Sequence, residues 1–183
     1  METRQEPLTV YKNNYWASEI ADLYFNHQLG YTSYAYNIPH HTDKGYDVLA
    51  INKQLIPYYI LCYASPDPEL VPIPIMENDE ESRIIDSESD YVFWWHIGTD
   101  KVSVIGTDTL LTNFVDTEKY EKVNNILAQW VSTDDENWNE AFSKFTLSPR
   151  VAEKANHIYD FRVSRLPLEK RKVPQPLEIA RLD

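Results

Sequence analysis

The sequence predicts an α+β fold, or its α/β relative: a mixed central β-sheet with an N-terminal helix and a C-terminal helical group. Three observations carry this. An apolar stripe at helical spacing opens the chain. Short aromatic and β-branched runs, bounded by turn residues, follow it. Helix-spaced apolar residues then return in the last third. With 183 residues, the chain is sized for a single α/β-type domain, placed at 8–161 with an acidic insertion at 66–90. A basic, proline-rich C-terminal arm follows at 162–183.

The first element spans about Asn14 to Leu29. Trp16, Ile20, Leu23, Tyr24 and His27 fall on one helical face, and Glu19, Asp22 and Asn26 on another. Asn14 can cap the start, and Gly30 suits the left-handed position after the end. Three extended runs come next: Tyr31–Ile38, Tyr46–Ile51 and Pro57–Tyr63. The last two are close enough to pair as antiparallel neighbours. Pro57 has no N–H to donate, so it belongs at a strand start or edge.

Residues 65–90 hold four prolines followed by a dense set of acids. They read as a surface excursion with one short helix near Glu80–Ile85. Tyr91–Ile97 and Val102–Ile105 form a hairpin about Gly98-Thr99-Asp100-Lys101. The remainder reads as helical. Asp108 can cap a short helix with Leu110, Leu111 and Phe114, and Val123, Ile126, Leu127, Trp130 and Val131 form a helical stripe. Thr133 with Glu136 resembles a capping box before Trp138, Ala141, Phe142 and Phe145. Ser148-Pro149 opens a last helix through Val151, Ala155, Ile158 and Tyr159.

Charge is distributed unevenly. The formal net charge is -12. Residues 66–140 carry 18 acids and 4 bases, whereas residues 141–183 carry 5 acids and 9 bases. An acidic middle repels phosphate backbones and steers toward basic partners. Gly is scarce, at 4 residues, and neither GxxxxGK[ST] nor GxGxxG occurs, which argues against a phosphate-cradling loop. A single cysteine rules out an internal disulfide. The longest strongly apolar run, Tyr58–Ala64, is too short to span a bilayer, and residues 1–10 lack a basic-then-apolar leader pattern. A cytoplasmic protein without a membrane role is expected.

Several chemically capable residues have a simpler reading. Adjacent His40 and His41, with Asp43, sit in a turn-rich link where neighbouring side chains diverge, so solvated imidazoles are expected. His96 lies in an apolar strand and reads as a satisfied, half-buried histidine. Cys62 lacks an adjacent base and reads as a small core residue. Trp94 and Trp95 point to opposite faces of one strand; the C-terminal helices are expected to cover the outward one.

Two segments carry a family resemblance. GYDVLAIN, around Asp47, and YYILCYAS, from Tyr58, follow an opening helix. Residues 14–63 thereby resemble the core of the PD-(D/E)XK nuclease superfamily, and Tyr91–Ile97 is placed as a possible later strand. In that family, carboxylates on neighbouring strands hold a divalent metal, and a nearby lysine positions or activates water. The resemblance implies Asp47 as the first acid and Glu19 as the additional acid of some members. At the family's D/E-x-K positions, however, this chain has Leu61 and Tyr63. The metal site is then dead or rebuilt. A rebuilt one would draw on Glu19, Asp47, Glu69 and Lys53 with Mg2+ or Mn2+.

The leading expectation is a non-enzymatic interaction protein: an accessory subunit, inhibitor or immunity-type factor without a cofactor. Glu77, Asp79, Glu80, Glu81, Asp86, Glu88 and Asp90 would face a basic or nucleic-acid-processing protein. Arg165, Lys170, Arg171 and Lys172 would supply contacts from the arm. A nuclease with displaced ligands is one alternative. A nucleic-acid-binding pseudo-nuclease using the arm is the other.

Overall fold

A computed structural model of the chain describes residues 15–35, 45–77, 80–116, 118, 121–123, 126–133 and 142–164. The fold is α+β. Helix α1 (Tyr15–Leu23) runs on as a π-helical turn, Tyr24–Gln28. Strands β1 (Thr32–Ala35), β2 (Val48–Ile51) and β3 (Pro57–Ser65) follow. Next come β4 (Leu70–Glu77), β5 (Glu80–Glu81), β6 (Tyr91–His96) and β7 (Lys101–Gly106). Helix α2 (Thr107–Asn113), strands β8 (Glu121–Val123), β9 (Ile126–Ser132) and β10 (Phe142–Thr146), and helix α3 (Pro149–Ser164) complete the described chain.

Six strands form the central sheet in the order β1-β2-β3-β6-β7-β10. It is mixed, because β3 and β6 run parallel while the other pairs are antiparallel. Parallel neighbours need a long crossover; here it passes through a second, antiparallel sheet, β5-β4-β9-β8. Alternation along β3 and β6 divides the core. Cys62, Phe93 and Trp95 share one face with the packed helices; Trp95 meets Tyr159 of α3 edge-on at 5.7 Å. Leu61, Tyr63 and Trp94 lie on the other face, and Trp94 donates its indole N–H to the Pro72 carbonyl of β4 at 3.0 Å. Both tryptophans are fully buried. Each ring of that size removes roughly 200 Å² from water, which is about 5 kcal/mol of transfer free energy before entropy is subtracted. The C-terminal helix thus covers Trp95, but a strand, not a helix, covers Trp94.

Helix α1 starts as expected, with Ala17, Ile20 and Tyr24 buried, and Gly30 takes the left-handed conformation at φ +73°. The π-turn changes its last face. One extra residue per turn rotates the register, so Phe25 turns inward and His27 outward, against the simple 3.6-residue stripe. Gln28, at the end of that turn, locks the N-terminal unit to the C-terminal one. Its amide nitrogen donates to the Thr146 carbonyl at 3.0 Å, and its oxygen accepts from the Ser148 N–H at 2.8 Å.

The excursion is a strand where a loop was expected. Pro72 and Pro74 occupy alternate positions of β4, so both missing N–H groups face away from β9. On that side β5 pairs only with Met76 and Glu77, so no ladder bond is lost at the prolines. The Pro72 carbonyl on the same side is the one that Trp94 takes. Residues 83–86 form turns and not the expected helix; Ile85 N donates to Ser82 O at 3.0 Å.

Two further expectations are corrected. The helical stripe at 123–131 falls on two strands: Val123 ends β8, and Ile126, Leu127, Trp130 and Val131 lie in β9, which pairs with β4 from Ser132 opposite Leu70 to Ile126 opposite Glu77. An available strand edge outweighs a spacing that suits a helix equally well. Thr133 donates both its N–H and its hydroxyl to the Glu69 carbonyl, at 3.0 and 2.8 Å. Glu136 and Trp138 lie outside the described residues, and Phe145 belongs to β10, paired with Val102. The final helix stands as read, with the Ser148 hydroxyl accepting from Val151 N at 3.3 Å.

Candidate functional site

Asp47 lies just before β2, 6% exposed. Both carboxylate oxygens are engaged. Arg83 Nη1 donates to Oδ1 at 2.7 Å and Nη2 to Oδ2 at 2.9 Å, while Cys62 N–H also donates to Oδ2 at 2.9 Å. A planar guanidinium matches a carboxylate with two parallel bonds. The same guanidinium lies 5.6 Å from the centroid of the Tyr63 ring, a cation–π distance. Leu61 and Tyr63, at the positions where the resembled family has its acid and lysine, are buried. A cation therefore sits against Asp47, and it is Arg83.

The turn that carries Arg83 is held by Gly45. This glycine has φ +77°, and a Cβ placed on it would come within 2.7 Å of Ser87 backbone. The Ser87 hydroxyl bonds to the Gly45 carbonyl and shares a chain of contacts with Ser89 and Thr107, at 2.7 and 2.8 Å. Close approach of two backbones requires glycine there.

The rebuilt ion site is not assembled. Lys53 precedes β3, and its chain end lies beside Gly30. Glu69 follows β3 and is exposed. The nine residues of β3 separate them by roughly 25 Å at about 3.3 Å per residue. Glu19 is half-buried on α1. Among the described residues, no three His, Cys, Asp or Glu side chains are grouped to hold a metal ion. Asp67 is also structural: its Oδ1 accepts from Glu69 N and Leu70 N at 2.8 and 2.7 Å, closing the turn into β4.

Of the acidic set, Glu81, Asp86, Glu88 and Asp90 are exposed. A side-chain hydrogen bond with Asp86 raises the Glu81 pKa. Asp90 Oδ2 accepts from Tyr59 N at 2.8 Å. Glu77 and Glu80 lie in β4 and β5, with side chains outside the description. Asp79, Arg165, Lys170, Arg171 and Lys172, together with His40, His41 and Asp43, lie outside the described residues.

Cys62 and His96 are core groups. Burial pushes the Cys62 thiol well above its ordinary pKa, and the Asp47 charge adds to this. His96 is fully buried and not half-buried. Its Nδ1 faces the Asp67 carbonyl at 2.8 Å and its Nε2 faces the Ser103 hydroxyl at 2.7 Å. Burial lowers its pKa against the raising effect of Asp67.

A second site was not legible in the sequence. On the helix-covered face, the π-turn and strands β3, β6, β7 and β10 line an open cup of about 330 Å³. Tyr24, Phe25, Tyr31, Tyr58, Tyr91 and Phe145 supply rings to its lining. They come from positions scattered between residues 24 and 145, and the abundance of tyrosine was the sole hint. Among the described residues, no helix is long and apolar enough to cross a membrane. Compared with known proteins, the chain matches no family model, no curated protein and no solved structure.

Proposed function

We propose that this chain is a non-enzymatic interaction protein, an accessory subunit, inhibitor or immunity-type factor that grips a basic macromolecular partner. The Asp47–Arg83 pair carries the reading. A working ion cage needs its first acid free for metal, and here a guanidinium holds both oxygens. The same contact shapes the surface. Arg83 is the single base between residues 66 and 90. Turned inward, it leaves Glu81, Asp86 and Glu88 exposed without its compensating charge. Such a face attracts a positively charged surface, of the kind a nucleic-acid-processing protein presents.

Affinity capture from native lysate with salt elution tests this. A basic protein retained by the wild type, released as ionic strength rises, and lost with Glu81→Gln/Asp86→Asn/Glu88→Gln is the expected result. Cleavage of DNA or RNA that requires Mg2+ or Mn2+ and disappears with Asp47→Ala would replace the reading with a metal-dependent nuclease. Retention of nucleic acid that disappears on removing residues 162–183 would replace it with a pseudo-nuclease acting through the arm.

A further inference from the structure

The geometry points to a small-molecule site: we infer that the aromatic cup between the π-turn and the central sheet binds an uncharged, planar bicyclic ring compound with a hydrogen-bonding edge. This site is separate from the acidic face and does not depend on it. The cup has about 330 Å³ of space, within the usual range for ligand pockets and room for on the order of ten water-sized groups. That matches a fused two-ring compound.

Three features set the ligand's chemistry. The first is the density of rings. Phe25 and Tyr31 stack at 6.0 Å, Tyr58 meets Tyr91 edge-on at 5.7 Å, and Tyr24 lies 6.0 Å from Phe145. Flat faces and edges at these spacings favour another flat ring. Tyr91 and Phe145 are 38% and 41% exposed, so two of the lining rings are open to an incoming molecule. The second feature is polarity without charge. Among the described residues, no Asp, Glu, Lys, Arg or His lines the cup, so an ionised ligand would lose its hydration without a counter-charge from them. The Ser143 hydroxyl and the tyrosine phenols among the lining residues offer neutral hydrogen-bonding groups. Burial and the neighbouring Tyr31 push the Tyr24 phenol up to about 12, which keeps it protonated. The third is the π-turn itself. Such turns cost regular helix bonding and are frequent at functional sites. This one places Tyr24 and Phe25 side by side in the wall.

Indole serves as the probe in the full-length chain, titrated by calorimetry and by amide shifts of Ser143, Val104 and Gly106. Saturable one-to-one binding is expected, with shifts at those amides. Ser143→Trp, at an exposed lining position of the edge strand β10, should fill the cup and weaken indole at least ten-fold. Phe145→Ala should weaken it several-fold. Indole-3-acetate should bind at least ten-fold more weakly than indole. The proposal is overturned if indole gives no saturable shifts, if Ser143→Trp binds it unchanged while keeping the wild-type Tm, or if tetramethylammonium or indole-3-acetate binds better than indole.

Discussion

Asp47 and Arg83, 36 residues apart, meet in a two-pronged ion pair at 2.7 and 2.9 Å. The pair pins the acidic excursion to the start of β2. Its side chains are 9% and 24% exposed, so water compensates poorly for losing either partner.

Removing one member should be worse than removing both. Arg83→Ala leaves a buried carboxylate with a single backbone donor, and a loss of about 3 kcal/mol is expected. Asp47→Leu with Arg83→Met should recover at least half of it. Urea midpoints for the two single variants and the double variant check this coupling. Additive losses would show the pair to be unimportant for folding.

Gly45→Ala should destabilise by about 2–3 kcal/mol, because the new methyl meets Ser87 backbone and the φ of +77° disfavours a side chain. The consequence is local. Amide exchange at residues 83–90 should quicken more than exchange in β7. Uniform quickening through the whole sheet would contradict this arrangement.

Leu55→Gly should stabilise. Leu55 adopts φ +65° at the β2–β3 turn and is 81% exposed. The turn is held by Asn52, whose side-chain oxygen accepts from Gln54 N and Ile56 N, both at 2.9 Å. Glycine relieves the left-handed strain and gives up no packing, for a gain of about 0.5–1 kcal/mol. That is a few degrees in Tm for a chain of this size. Leu55→Ala keeps the strain and should leave Tm nearly unchanged.

Stability should fall on acidification through the range set by His96. Its folded pKa is lowered by burial. The unfolded chain therefore takes up a proton below the ordinary value of about 6.5 before the folded chain does. The contribution is complete above that value and is lost as pH falls toward the folded pKa. Denaturant midpoints at several pH values, compared with those of His96→Gln, isolate the effect. An identical slope in both proteins would exclude His96 as its source.

The sequence by itself determined those parts whose signals are local. The N-terminal helix, the β2–β3 and β6–β7 pairs and the last helix follow from periodicity, turn glycines and the Ser148-Pro149 start. The buried Cys62 followed from its apolar strand. Tertiary structure decided what local pattern leaves degenerate. Ile126, Leu127, Trp130 and Val131 fit a helix as well as a strand, and the open edge of β4 selected the strand. Pro72 and Pro74 tolerate a strand because their silent sides face away from β9. The partner of Asp47 and the rings of the cup are set by contacts between distant segments, and such contacts leave no spacing in the chain from which to read them.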